Sequence, residues 1–357
     1  MKLAIIGLPQ SGVTTVFNAL SGRHEDAHAF VKPGQQHVAV VPVPDPRVEF
    51  LAEMYKPKKT THATVEYLEV PGLFAAGSGG ATSDPAGAAV VRDSEACVKV
   101  LRAFDSDQAP DPRGSNDPVR DLRDMNDELL TLDMMVIEKR VERLRKDVNK
   151  PIPEQEHRRL ELAALERCIG ALEQGQTLDQ VELNEVEEKL LRGFGLLTRK
   201  PCIQVVNVSE ADAASSDALS GLPPESSLAF CAKLEDEIGE LNEADRAEFL
   251  ADLGIRELAR DRLLRLSYEL LGLLSFFTVG ADEVRAWTLN KGATTLDAAA
   301  AIHSDLARGF IRADVMKFED LERLGSEREV KAKGLAKLEG RESVVEDGDI
   351  VHVRFNV

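Results

Sequence analysis

The stretch from residue 2 to 20, KLAIIGLPQSGVTTVFNAL, decides the fold. It opens on an apolar run, Lys2 to Ile6, with the length and β-branching of a short buried strand. It closes on Thr14 to Leu20, which reads as the start of a helix. Between them Gly7 and Gly12 bound the loop Gly7-Leu8-Pro9-Gln10-Ser11-Gly12-Val13-Thr14-Thr15. Strand, glycine-bounded loop and helix, in that order, form the context in which backbone N–H groups converge into an anion nest. The spacing is that of G-x-x-x-x-G-K-[ST] with Val13 in place of the lysine. A hydroxyl suited to a Mg²⁺ ion stands at Thr14, and the ammonium that would bridge phosphates is missing from position 13. Taken alone, the same spacing also describes a tight strand-to-helix turn.

Three further motifs lie outward from it. Glu69-Val70-Pro71-Gly72 ends a β-branched run, Thr64 to Val70, where a D-x-x-G switch would stand. Asn207-Val208-Ser209-Glu210 follows the buried run Cys202 to Val206, in the place and order of a base-reading N-K-x-D. Cys231-Ala232-Lys233 follows a short strand beginning at Leu228, like an S-A-K loop on the base side. An Asn and a Glu in a loop arise often by chance. Four weak motifs in the right order, each at a strand end, are jointly strong. Asn207 can bond either purine, whereas Glu210 is one methylene longer than the aspartate that accepts from guanine. Val208 lacks the lysine stem that covers the base. Preference for guanine should therefore weaken or reverse.

At 357 residues the chain is long enough for two or three domains. The excess of 62 Asp+Glu over 44 Lys+Arg, net −18, argues against non-specific binding to DNA, RNA or anionic membranes. The four cysteines are scattered and form no C-x-x-C pair, as expected of reduced core thiols in a cytoplasmic protein. The seven histidines show no metal-binding spacing, and no G-x-S-x-G elbow appears. The N-terminal apolar run is too short for a secretory signal, and no stretch is long enough to span a membrane.

Leu130, Met134, Ile137, Val141, Leu144 and Val148 form a heptad seam, repeated by Leu162, Leu165, Ile169 and Leu172 beyond a break at Asn149-Lys-Pro-Ile-Pro153. The pattern fits an inserted coiled-coil hairpin, with two ordinary bundle helices as the alternative. Residues 74–89, rich in Gly, Ala and Ser, are expected to be irregular. Residues 105–118 read as a loop. The tail carries strands near Phe277, Val284 to Leu289 and Ile350 to Val357, with Leu296 to Leu306 helical between. Its basic residues, Arg308, Arg312, Lys317, Lys331, Lys333 and Lys337, read as a solvated face, with RNA contact as the alternative.

Nearly end to end, the chain resembles the YchF or Obg-like ATPase family of P-loop NTPases. The resemblance rests on Gly7-Leu-Pro9, Val40-Val-Pro-Val-Pro-Asp-Pro-Arg47, Lys56 to Thr61, Asp117-Pro-Val-Arg120, Asn207 to Glu210 and Ser275 to Thr278. In the tail it rests on Glu283 to Thr288, His303, Arg308 to Arg312, Glu346 to His352 and Phe355-Asn-Val357. It implies an α/β protein with a P-loop G domain (1–116 and 198–275), an inserted α-helical coiled-coil domain (117–197) and a C-terminal β-grasp TGS domain (276–357). It also implies binding of ATP/ADP or GTP/GDP, with ATP preferred, and association with the ribosome or its RNA. The nucleotide would be held by Gly7, Pro9 to Thr15, Asn207, Val208, Glu210 and Cys231 to Lys233, in a cytoplasmic monomer.

Departures from the family concentrate where phosphate is cleaved. Counting back from the shared VPVPDP, the switch threonine falls on Pro33, which cannot ligate a metal. Glu69 stands for the aspartate of D-x-x-G and remains an oxygen donor toward Mg²⁺. Losing the lysine removes a charge-assisted contact worth roughly 1.5–3 kcal/mol. Losing both contacts should cost far more in rate than in affinity. Arg23 or Lys32 could replace the lysine. Three readings follow: a nucleotide-binding regulator with weak or no hydrolysis, an active ATPase with a substitute cation, and a nucleotide-free scaffold.

Overall fold

A short apolar run that ends at a glycine is stable in the buried middle of a sheet, and Lys2–Gly7 (β1) takes that place, with Leu3 to Ile6 fully buried. The computed structural model describes residues 1–357 apart from 23–36, 75–84, 108, 112, 148–154, 214, 254, 256 and 357. These form two compact units, Met1–Ala39 with Glu66–Leu263, and Val40–Val65 with Leu264–Val357.

In the first unit, β1 is joined by β2 (His37–Pro42), β4 (Thr64–Glu69), β5 (Ala96–Ala103), β6 (Cys202–Val208) and β7 (Ser227–Phe230). The strand order is β2-β4-β1-β5-β6-β7. β4, β1, β5, β6 and β7 all run parallel. Their C-terminal ends therefore emerge along one edge, where open parallel sheets place their ligand sites. Helix α1 (Val13–Ser21) buries Val16, Phe17 and Leu20. Helices α3 (Pro85–Asp93) and α7 (Ala232–Glu240) bring Ala88, Val91, Leu234 and Ile238 into one core with Ala4, Ile6, Leu101 and Val206. The irregular run expected at 74–89 is corrected at its end. Residues 85–89 begin α3, because proline is pre-set for a first helical turn and the alanines after it favour helix. Residues 75–84 lie outside the described residues.

The heptad seam closes as a helical hairpin of α4 (Pro118–Asp147) and α5 (Gln155–Glu173). Leu130, Ile137, Val141 and Leu144 pack on Ala164, Leu165, Cys168 and Leu172, with Met134, Leu162 and Ile169 half-buried beside them. Arg140 forks onto Glu161 across the pair at 2.7 and 2.8 Å. Val148 and the break after it lie outside the described residues. The first half of α4 packs differently, for Met125 and Leu129 belong to the core of the sheet together with Leu197. The joint between the halves is Asp133, fully buried. It accepts from the N–H groups of Leu197 (2.9 Å) and Thr198 (2.8 Å), the Thr198 hydroxyl (2.9 Å) and the Arg92 guanidinium (3.3 Å). Helix α6 (Glu185–Leu191), capped by Asn184, completes the arm.

Helices α8 (Glu243–Asp252) and α9 (Ala259–Leu270) follow α7. The start of α9 is capped from a distance, since Glu235 of α7 accepts from the N–H groups of Ala259 (2.6 Å) and Arg260 (3.4 Å). Burial pushes its carboxyl up to about 7 despite those bonds.

The second unit holds β3 (Lys59–Thr61), β8 (Leu273–Thr278), β9 (Glu283–Asn290), β10 (Phe310–Lys317), β11 (Lys337–Glu339) and β12 (Asp349–Phe355). Their order is β11-β10-β12-β8-β9-β3. A β8–β9 hairpin, helix α10 (Thr295–Ile302) and the return of β12 parallel to β8 give the expected β-grasp. Three short helices, α11 (Ser304–Arg308), α12 (Phe318–Leu324) and α13 (Glu327–Ala332), fill the connections. β10 was not legible in the sequence, because its alternation breaks at an irregularity between Phe310 and Arg312. The segment between β2 and β4, residues 43–63, packs in this unit. Helix α2 (Pro46–Tyr55), capped by Asp45, carries Arg47, which pairs with Asp45 and Asp347 and lies 5.0 Å over the Phe277 ring. Among the described residues, no helix is long and apolar enough to cross a membrane.

Two outcomes follow from this packing. Replacing residues 134–193 with a short Gly/Ser linker should leave one cooperative chemical-unfolding transition for the first unit. Removing 117–197 strips Met125, Leu129 and Leu197 from the sheet core, each worth about 2–5 kcal/mol, and should abolish that transition. The Glu235 carboxyl is raised in the folded state above its ordinary 4.5. Its contribution to stability is therefore full below about pH 4.5 and is lost as pH rises toward 7. Urea unfolding of Glu235→Gln between pH 5 and 7.5 should show a flatter pH dependence than the wild type.

Candidate functional site

The ends of β1, β4, β5, β6 and β7 surround one cavity of about 850 Å³, a volume within the range of small-ligand sites. Every residue expected to hold nucleotide lines it, from Gly7 and Pro9 through Thr15 to Asn207, Val208, Glu210 and Cys231, Ala232 and Lys233. Pro71 and Gly72 line it after β4. Phe104, Asp105, Ser106, Asp107 and Ala109 line it after β5, a side that the motifs did not mark.

The loop after β1 has the form that an anion nest requires. Gln10 and Gly12 both adopt left-handed backbone, with φ of 65° and 91°. Gly12 immediately precedes α1, so the first N–H groups of that helix have no carbonyl partner within it. Neither glycine can carry a side chain. A Cβ at Gly7 would lie 2.4 Å from the Ser11 Oγ, 2.7 Å from a Val13 methyl and 2.9 Å from the Val100 carbonyl; one at Gly12 would lie 2.3 Å from the Asn207 Nδ2. Val13 thus lies against the backbone of Gly7. The Ser11 hydroxyl is 2% exposed and has no hydrogen-bond partner among the described residues. A buried donor without a partner, beside unpaired helix N–H groups, fits a phosphate group.

Asn207 ties the loops together. Its Nδ2 donates to the Ser11 carbonyl at 3.1 Å, and its Oδ1 accepts from the Ala232 N–H at 3.2 Å. Glu210 does not stand alone, since the Lys233 ammonium donates to it at 2.6 Å and is held above its ordinary pKa by that bond. Burial pushes the Cys231 thiol up.

The two residues expected to attend a metal meet. Thr14 Oγ1 donates to Glu69 Oε1 at 2.5 Å, and Glu69 Oε2 lies 2.6 Å from the His37 Nδ1. Glu69 is fully buried and does not line the cavity, so its place is behind Thr14. Thr14 lines the cavity, and because its hydroxyl donates to Glu69 its oxygen lone pairs remain free for a hard cation. His37 was missed, having no motif to mark it. Arg102, also missed, is 3% exposed at the end of β5 and donates to the Gln10 carbonyl at 2.7 Å. Pro33, Arg23 and Lys32 lie outside the described residues. Among the described residues, no cluster of three His, Cys, Asp or Glu could hold a metal.

A model of a YchF GTPase C-terminal family, described as "Protein of unknown function (DUF933)", matches residues 273–356. The chain is similar to the ribosome-binding ATPase YchF of Haemophilus influenzae, at 36% identity over 100% of this chain and 99% of that protein. It is similar to the protein of the same name in Bacillus subtilis, at 37% identity over 100% of each. Among solved structures, that of the Schizosaccharomyces pombe YchF GTPase matches 99% of this chain and 97% of that one, with a TM-score of 0.85 and 30% identity.

The Asn207 tie can be tested directly. Asn207→Ala leaves the Ser11 carbonyl and the Ala232 N–H buried and unpaired, at about 1–3 kcal/mol each. Urea unfolding should show a loss on the order of 2–6 kcal/mol, whereas Val208→Ala at the neighbouring position should cost less.

Proposed function

The chain belongs to the YchF family, and from that footing we propose that it is a ribosome-associated regulator that binds a purine nucleotide at the strand ends and hydrolyses it weakly or not at all. The observation that carries this reading is the tied loop. The left-handed Gln10 and Gly12, the unpartnered Ser11 hydroxyl and the open start of α1 keep an anion site intact, while Val13 lies against Gly7 where a lysine would reach outward. Binding and catalysis are thereby separated. The N–H groups around Gly12 to Thr15 hold a diphosphate. Charge developing on the transferred phosphoryl group finds no side-chain donor at position 13.

Adenine is favoured over guanine, because Glu210 is longer than the usual aspartate and its charge is answered by Lys233 at 2.6 Å. A divalent cation would be held by Thr14 with Glu69 behind it, and would supply charge neutralisation between phosphates. Affinity should depend only weakly on Mg²⁺, since Pro33 cannot ligate it. The relatives' names support ribosome association, and a ribosome partner in turn favours a cytoplasmic location. The helical hairpin and the C-terminal β-grasp unit are the domains proposed to meet that partner.

Titration of ATP, ADP, GTP and GDP into the full chain, with and without Mg²⁺, should show adenine nucleotides binding at least as tightly as guanine ones. Glu210→Asp should shift the balance toward guanine. Phosphate release should lie near background, and Val13→Lys should tighten ATP by about one to two decades while restoring little turnover. Robust wild-type turnover that disappears in Gly12→Val would overturn the reading of weak hydrolysis.

A further inference from the structure

The charged groups that line the cavity are ill suited to a polyphosphate. Asp105, Asp107 and Glu210 supply three carboxylates against one ammonium, Lys233, and that ammonium is engaged by Glu210. Val13 adds no charge. An anion held there needs positive potential from behind the loop.

Arg102 stands behind it. The residue lies near the end of β5, opposite Asn207 in register, and is 3% exposed. Its guanidinium donates to the Gln10 carbonyl at 2.7 Å, the Ala109 carbonyl at 2.7 Å and the Asn116 Oδ1 at 3.3 Å, and lies 4.1 Å over the Phe104 ring. Each of these partners is neutral, and among the described residues no carboxylate is within ion-pair range of it. A buried guanidinium is costly unless an anion answers it. Here the neutral partners satisfy its hydrogen bonds, and the nearby Asp105 is linked to it only through the Asn116 amide, which donates to that carboxylate at 2.9 Å, so the guanidinium has no direct carboxylate partner among the described residues. Three of them, Gln10, Phe104 and Ala109, line the cavity, and Gln10 is the left-handed non-glycine residue of the phosphate loop.

We propose that Arg102, buried behind the phosphate loop, supplies the cationic charge that position 13 lacks, and is the positioning residue that makes the cavity selective for phosphorylated nucleosides. The proposal rests on the nucleotide reading above. It acts in two linked ways. The bond to the Gln10 carbonyl holds a non-glycine residue in left-handed backbone and keeps that oxygen's dipole on the guanidinium. The charge itself acts through a poorly screened interior. At an effective dielectric of about 20, one unit charge about 10 Å away changes the affinity of an anion by about a decade. Arg102 is therefore expected to separate phosphorylated from unphosphorylated ligands, where a purely structural residue would affect both alike.

The test is calorimetric titration of adenosine, AMP and ADP into the full-length wild type, Arg102→Lys and Arg102→Met, with thermal melting of each. Wild type should bind ADP at least tenfold more tightly than adenosine. Arg102→Met should lose about tenfold of that increment with little change for adenosine. Arg102→Lys, which keeps the charge without the fork, should retain most of it. Should Arg102→Met fail to fold, wild type and Arg102→Lys decide: their increments should agree within about threefold. Equal increments in wild type and Met, or an increment lost equally in Lys and Met, would overturn the proposal and leave nucleotide binding intact. Wild type that binds none of the three ligands would overturn both.

Discussion

The side-chain amide of Asn207 satisfies two backbone groups from segments far apart in sequence, the Ser11 carbonyl after β1 and the Ala232 N–H after β7. Both groups sit where loops must leave the sheet, and both would otherwise be buried without partners. One short side chain, 5% exposed, thus fixes the distance between the phosphate loop and the loop on the base side. The fit leaves no slack, for a Cβ on Gly12 would meet that same amide at 2.3 Å. Glycine at position 12 and asparagine at 207 are consequences of one constraint.

A second buried contact acts on the other side of the loop. Glu69 is fully buried and engages Thr14 through one oxygen and His37 through the other. The carboxylate sets the Thr14 hydroxyl and reaches any cation only through it. Together with Asn207 and Arg102, it makes the phosphate loop a preorganised element whose geometry does not depend on a lysine. Valine at position 13 brings no charge, and the contacts that hold the loop's left-handed backbone come from other residues.

Much of this was legible in the sequence. The loop Gly7 to Thr15, Asn207 to Glu210 and Cys231 to Lys233 are motifs because backbone geometry restricts which residues each position accepts. The structure brings them to one cavity. The heptad seam was legible because periodicity survives in any context. What was hidden depends on tertiary neighbours. Arg102 and Asn207 face each other only once β5 and β6 pair, and His37 meets Glu69 only once its side chain turns inward. The membership of Met125 and Leu129 in the sheet core was hidden within an unbroken helical pattern, since periodicity tells which face is apolar and not what covers it. The place of residues 43–63 was hidden likewise, because the pairing of β3 with β9 joins residues more than two hundred positions apart.

The central claim is that a loop without its lysine remains a phosphate site because buried side chains hold its backbone in the binding form. Amide hydrogen exchange of the full-length protein, followed with and without ADP, tests this most directly. The N–H groups of Gly12 to Thr15 should exchange as a partly ordered turn in the free protein and become strongly protected when ADP is added, with protection extending to Ala232. ADP that binds while leaving these amides unchanged would place the nucleotide elsewhere and contradict the account.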